Sequence, residues 1–143
     1  MGLRLMLGVW LCVLMLPSSS FGESFGDLAQ ARKLSDQAMS LFIDEKFVEG
    51  YGVLKPFWPL PPVEIDNLAN QTNMQWPMVR QRFGKSVGVE FVRQRQVGDS
   101  LAEYVYLQKF QHHALRWVFV FYKPQGEWFI NSVSFDDNIK SLF

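Results

Sequence analysis

The sequence predicts an α+β fold in which N-terminal helices pack on a curved, four-stranded antiparallel sheet. As far as residue 83, apolar residues recur three or four positions apart, which is the period of an amphipathic helix. After Gly84 the chain is rich in β-branched and aromatic residues and is divided by turn signals, which is typical of strands. The order of these two patterns predicts one domain with its helices first and its sheet after.

Three helical stretches are predicted before Gly84. Ser24 or Asp27 can cap the free amides at the start of the first helix. Gly84 suits the C-cap of the third helix, and Pro77 is expected to bend or restart that helix. The predicted segments are residues 24–42, 45–54 and 62–84, with an extended proline-rich connector over residues 55–62.

Four strands are predicted after the helices, joined by hairpins into a meander. Residues 98–100 and 124–126 carry the glycine and proline signals of the first and last turns. Residues 101–123 contain neither Gly nor Pro, yet strands seldom exceed about ten residues, so a turn must fall near residues 111–114. The predicted strands are residues 87–96, 101–110, 115–123 and 128–135.

The third strand has two apolar faces. One face carries Val118, Val120 and Tyr122. The other carries Leu115, Trp117, Phe119 and Phe121. An antiparallel sheet with one solvated face alternates apolar and polar residues, and this strand does not. Because the helices can cover one face, the other is expected to meet a ligand cavity, the far end of the curved sheet or a second subunit.

The first residues have the layout of a secretory signal peptide. Residues 5–16 form an apolar run behind one positive charge, Arg4, and end at Pro17 and three serines. A transmembrane helix needs roughly 18 or more apolar residues, so this run is too short. Cleavage is expected after Ser20 or after Gly22, and an uncleaved anchor or a buried helix is the alternative.

Cysteine content and net charge limit which cellular compartment and which partners are expected. Cys12 is the only cysteine, and it lies in the predicted signal peptide, residues 1–22. A cysteine-free domain over residues 23–143 predicts the periplasm of a Gram-negative bacterium, or secretion from it, since small secreted eukaryotic domains are rich in disulfides. The 14 basic and 14 acidic side chains balance, so no general attraction to nucleic acid is expected. No membrane span is expected after cleavage.

The layout resembles the nuclear-transport-factor-two-like, or cystatin-like, α+β group over residues 25–143. The long curved meander, the aromatic third strand and the closing strand at residues 128–137 carry this resemblance. The group includes isomerases, dehydratases, small-ligand carriers and dimerising modules, and many exported bacterial proteins of unknown function are similar to it. The resemblance therefore implies a fold and leaves the activity open.

No constellation of residues indicates catalysis or metal binding. His112 and His113 are adjacent, and adjacent strand residues point to opposite faces. Residues 84–86, Gly-Lys-Ser, lack the earlier glycine of a phosphate loop and precede a strand. Asp136 and Asp137 follow the last strand and are expected to cap a final turn. No catalytic residue, metal or cofactor is predicted.

A locally basic stretch precedes and enters the first strand. It can hold an anionic group or an acidic partner, or it can protect an edge strand from aggregation. Arg93 and Arg95 are expected to share a strand face. The basic residues are Arg80, Arg82, Lys85, Arg93 and Arg95.

These patterns favour a non-catalytic periplasmic module that forms a homodimer through the aromatic sheet face or binds an envelope protein. A small apolar ligand held between sheet and helices is a further possibility. Tyrosine and arginine combine an apolar body with a polar tip, which suits a binding surface. The predicted lining residues are Tyr104, Tyr106, Arg116 and Tyr122. The alternative is an isomerase- or dehydratase-like enzyme that uses Glu90 or Glu103 with a tyrosine donor.

Overall fold

The computed structural model describes residues 22–143, so the predicted signal peptide lies outside the described residues except for Gly22. Within the described chain three α-helices precede a four-stranded sheet, which confirms the predicted α+β order. The helices are α1 (Leu28–Ile43), α2 (Phe47–Leu54) and α3 (Pro62–Phe83). The strands are β1 (Ser86–Val97), β2 (Leu101–Phe110), β3 (Ala114–Tyr122) and β4 (Phe129–Asp136). Short 3-10 turns cover Lys55–Phe57 and Ile139–Leu142.

The start of α1 and the corner between α1 and α2 are fixed by two acidic side chains. The Asp27 carboxylate accepts a hydrogen bond from the Gln30 amide at 2.9 Å and caps α1, as predicted. Glu45 adopts a left-handed backbone, with φ at 60°, and turns the chain into α2. Its carboxylate accepts a hydrogen bond from the Trp76 indole at 2.9 Å and lies 3.3 Å from Arg80. Glu45 therefore connects the corner between α1 and α2 to α3.

Two expectations about the prolines need correction. Of the bend or restart expected at Pro77, the restart does not occur, since α3 runs unbroken through it. Proline lacks the amide hydrogen that would bond to the carbonyl oxygen of residue 73. Because Asn73 and Pro77 are both exposed, water can donate a hydrogen bond to that oxygen instead. The connector is also not extended throughout. Lys55–Phe57 forms a 3-10 turn, because proline is tolerated in a first helical turn.

The sheet is an open antiparallel meander with strand order β1-β2-β3-β4, as predicted. The register of β1 against β2 shifts near Gly88 and again between Phe91 and Arg93. The register of β3 against β4 shifts after Val120. Such bulges bend strands and increase their twist, which suits the curvature of this sheet.

The helices cover one face of the sheet, here called the inner face. Phe42 of α1 stacks on Trp117 of β3 with ring centroids 4.6 Å apart, and Trp76 of α3 lies 6.3 Å from the same ring. The β3 residues on this face are all buried. They are Leu115, Trp117, Phe119 and Phe121. The more aromatic face of β3 is therefore the one that the helices cover, and its rings fill the space between sheet and helices. The expectation of a homodimer through the aromatic face is wrong, because the helices already bury that face.

Candidate functional site: the outer face of the sheet

The opposite, outer face of the sheet ends in a row of apolar side chains that crosses all four strands. Val97 pairs with Leu101, Leu101 with Tyr122, and Tyr122 with Phe129. Direct cross-strand partners have side chains on the same face and about 5 Å apart, so these four residues form one continuous apolar row. Val97, Leu101 and Tyr122 are exposed, and Phe129 is half-buried.

Charged side chains lie beside the apolar row on the next positions of β1 and β2. Arg95 pairs with Glu103 across the strands, and its guanidinium lies 3.4 Å from the Glu103 carboxylate. Arg93, on the same face as predicted, lies 3.8 Å from that carboxylate. Valines continue the face on β3, where Val118 and Val120 are half-buried. The outer face is thus apolar along β3 and charged along β1.

The C-terminal turn covers the far end of the outer face. Arg93 donates a hydrogen bond to the carbonyl oxygen of Leu142 at 3.3 Å. Asp136 is the last residue of β4 and accepts a hydrogen bond from the Asn138 amide at 2.9 Å. The predicted capping of the final turn by an aspartate does not occur, since the turn at Ile139–Leu142 has no side-chain cap hydrogen bond. Side chains of the turn and of the sheet line one groove of about 310 Å³, among them Leu107, Ala114, Ile139 and Leu142. The apolar row lies at the other end of the sheet and stays uncovered by the described residues.

Arg116 and Tyr122, two of the four predicted lining residues, lie on this outer face. Arg116 forms a two-pronged ion pair with Asp136, with nitrogen-to-oxygen distances of 3.1 and 2.5 Å. The hydrogen bond from Arg116 lowers the pKa of the Asp136 carboxyl below its usual 3.8. Tyr122 belongs to the apolar row.

Tyr104 and Tyr106 lie on the inner face, so the structure does not bring the four predicted residues together. Tyr104 donates a hydrogen bond to the carbonyl oxygen of Leu28 at 2.8 Å. Tyr106 donates to the Asp36 carboxylate at 2.6 Å. Burial raises the pKa of Tyr104 to about 12. Burial and the Asp36 hydrogen bond both raise the pKa of Tyr106. Both side chains attach α1 to β2.

The carboxylates named for the enzyme alternative also face away from those tyrosines. Glu90 is exposed on the outer face, opposite Leu107. Glu103 pairs with Arg95 on that same face. The carboxylate that the structure places beside a buried tyrosine hydroxyl is Asp36, whose oxygen also accepts a hydrogen bond from Arg32 at 2.8 Å.

Three members of the apolar row were not among the predicted site residues. Val97 and Leu101 flank one turn, and Phe129 follows a later turn, so their alignment with Tyr122 depends on hairpin register. The only available signal was the short turn at residues 98–100, which brings Val97 and Leu101 together as partners.

The described residues contain neither a group of metal-ligating side chains nor a helix suited to cross a membrane. Within residues 22–143, no three His, Cys, Asp or Glu side chains are grouped so as to hold a metal ion. His113 instead packs edge-on against Phe83, with ring centroids 4.6 Å apart. Among the helices of this part of the chain, none combines the length and apolar character needed to cross a membrane.

Comparison with known proteins does not indicate a function for this chain. Neither a protein-family model nor a curated protein nor a solved structure matches this chain.

Proposed function

We propose that this protein is a non-catalytic interaction module of the bacterial envelope that forms a homodimer through the outer face of its sheet. The single observation that carries the proposal is the apolar row of Val97, Leu101, Tyr122 and Phe129, of which the first three are exposed. Monomeric proteins seldom expose a large contiguous apolar patch, and such a patch next to polar residues is typical of an interface. The resemblance to the cystatin-like group, which includes dimerising modules, supports the same proposal.

A second copy of this chain is the partner that the charge pattern favours. Arg95 and Glu103 stand side by side next to the apolar row and carry opposite charges. A copy turned by half a rotation presents the same pair in reverse order, so that each charge meets its opposite. The axis of this rotation runs between β1 and β2, so Val97 of each copy then lies against Leu101 of the other, beside the charged pairs.

Export to the periplasm is part of the proposal and rests on the signal-like residues 1–22. The full chain, expressed in a bacterial host and recovered from the periplasm, therefore provides a direct test by native mass spectrometry. We expect the subunit mass to correspond to cleavage after Ser20 or Gly22. We expect the assembly mass to be twice the subunit mass.

Replacing Val97 with lysine tests the interface. The charge would be buried at the apolar row, so we expect the dissociation constant of the dimer to rise at least about tenfold. Val63 on α3 provides a matched control, because it is 61% exposed and Val97 is 60% exposed. Val63→Lys should leave the dimer unchanged. Analytical ultracentrifugation over a range of concentrations measures both constants.

The other outcomes redirect the proposal. Equal effects of Val97→Lys and Val63→Lys would show that the apolar row is not the interface. If the protein is a monomer that co-purifies with an envelope protein, that envelope protein is the partner in place of a second copy. If the protein is a monomer with a reproducible small-molecule adduct, its function is that of a ligand carrier and not of an interaction module.

A further inference from the structure

A shallow pocket lies on the other side of the molecule, between α1 and the segment before it. Its apolar floor is formed by Phe25 and Leu34, which are buried, and by Phe57, which is half-buried. The rings of Phe25 and Phe57 stack with their centroids 4.4 Å apart. The pocket has a volume of about 340 Å³, at the lower end of the range for small-molecule sites.

The rim of this pocket offers hydrogen-bond donors and one positive charge. Gln30, Lys33 and Gln37 follow one another at intervals of three and four residues, so they share one side of α1. Lys33 forms no ion pair with the described residues. Gln30 uses its amide oxygen to accept a hydrogen bond from the Gly26 amide at 3.2 Å, which leaves its NH₂ group as a donor.

Among residues 22–143, no acidic side chain lines the pocket. Ser24, the remaining lining residue, donates its hydroxyl hydrogen to Glu127 at 2.5 Å, and Glu127 itself does not line the pocket. An aromatic floor below a rim of N–H donors with one ammonium group selects for an amphipathic anion, since an ionised carboxylate only accepts hydrogen bonds.

We propose that this pocket binds a small aromatic carboxylate. Its ring system lies on Phe25, Leu34 and Phe57, and its carboxylate faces the ammonium group of Lys33. The pocket lies on the helical side of the molecule and shares no residue with the outer face, so this proposal does not depend on the dimer.

Binding to the full chain as secreted can be measured with three probes of similar shape and different charge. They are 2-naphthoate, 2-naphthamide and 2-naphthylmethylamine. We expect naphthoate to bind about fivefold more tightly than the neutral amide, which is the scale of a solvent-exposed ion pair, and the amine to bind most weakly. Adding salt should reduce the preference for naphthoate. In NMR spectra, the backbone amides that shift should be those of residues 30–37 and Phe57.

Two variants locate the site. Lys33→Gln should weaken naphthoate binding about fivefold and leave naphthamide binding unchanged, because only the ion pair is lost. Lys46→Gln is the matched control, since Lys46 is also exposed and outside this pocket, and it should change neither affinity. Gln37→Trp, at an exposed helix position, should fill the pocket and abolish binding of both probes.

The proposal fails if naphthoate shows no saturable binding. It also fails if naphthoate and the amine bind equally, if Lys33→Gln and Lys46→Gln have the same effect, or if Gln37→Trp leaves binding intact.

Discussion

Gln108 lies completely buried on the inner face of β2, and both ends of its amide have partners. Its oxygen accepts a hydrogen bond from the Trp117 indole at 2.9 Å, and its nitrogen donates to the Ser86 hydroxyl at 3.1 Å. One side chain thus connects β1, β2 and β3. Buried polar groups are costly unless they are paired, so a slip of either hairpin would leave one end of this amide without its partner.

Gln108→Leu should lower the free energy of unfolding by about 1–3 kcal/mol, because the Trp117 N–H would remain buried without an acceptor. In a Trp117→Phe background the donor is absent, so the same substitution should cost about 1 kcal/mol less. Urea unfolding of the four proteins of this double-mutant cycle measures the difference. Strict additivity would show that the hydrogen bond contributes nothing to stability.

Sequence reasoning selected Tyr104 and Tyr106 for their chemistry but could not identify their partners. Their hydroxyls reach Leu28 and Asp36, more than 65 positions earlier in the chain. Such contacts follow from how α1 crosses the sheet, and no local pattern encodes that crossing. The character of a residue was therefore predictable, while its role in attaching α1 was not.

At the scale of elements, α1 and α2 pack closely at Gly50. A Cβ atom added at this glycine would overlap the ring of Phe42, which is completely buried. A Cβ atom added at Gly52, two positions later on the exposed side of α2, would meet nothing within 4 Å. The two glycines of this helix therefore differ in what surrounds them.

Substitution of each glycine by alanine should shift stability in opposite directions. Gly50→Ala should destabilise the protein by about 1–3 kcal/mol, because Phe42 must move within a packed core. Gly52→Ala should stabilise it by about 0.5–1 kcal/mol, because alanine loses less conformational freedom in a helix. Thermal unfolding followed by circular dichroism compares both variants with the parent chain. A stabilising Gly50→Ala would contradict the close packing of α1 on α2.

Periodicity was enough to predict the elements and their order, because helix and strand patterns are local. It was not enough to decide which face of β3 the helices cover. Trp117 and Phe119 alternate with Val118 and Val120, so both faces are apolar and hydropathy alone does not separate them. Ring stacking against Phe42 and Trp76 settles the choice, and that depends on tertiary structure.

At the scale of the whole molecule, buried tyrosines make folding sensitive to alkaline pH. Burial raises the pKa of Tyr104 from 10.0 to about 12 and also raises that of Tyr106. A group whose pKa is higher in the folded state than in the unfolded chain stabilises the fold at every pH below its pKa in the unfolded chain. That contribution is fully present below about pH 10 and is lost as the pH rises towards 12.

Urea unfolding should therefore show a fall in the free energy of unfolding between about pH 10 and about pH 12. Tyr104→Phe should make this fall smaller, because phenylalanine cannot ionise. It should also cost about 1 kcal/mol at neutral pH through the lost hydrogen bond to Leu28. An equally steep fall in the variant would rule out Tyr104 as the source.

The order of helices and sheet has a consequence for the time course of synthesis. The apolar side of α1 is covered by residues of β2 and β3, and Phe25 pairs through its backbone with Trp128. A ribosome completes all three helices before it has made any of the strands that cover them. A nascent chain that stops before β3 lacks Trp117, so the core around Phe42 is incomplete until synthesis is almost finished. We expect this incomplete core to delay folding while the chain is being made, and an unfolded chain is the form that can be threaded through a narrow protein channel.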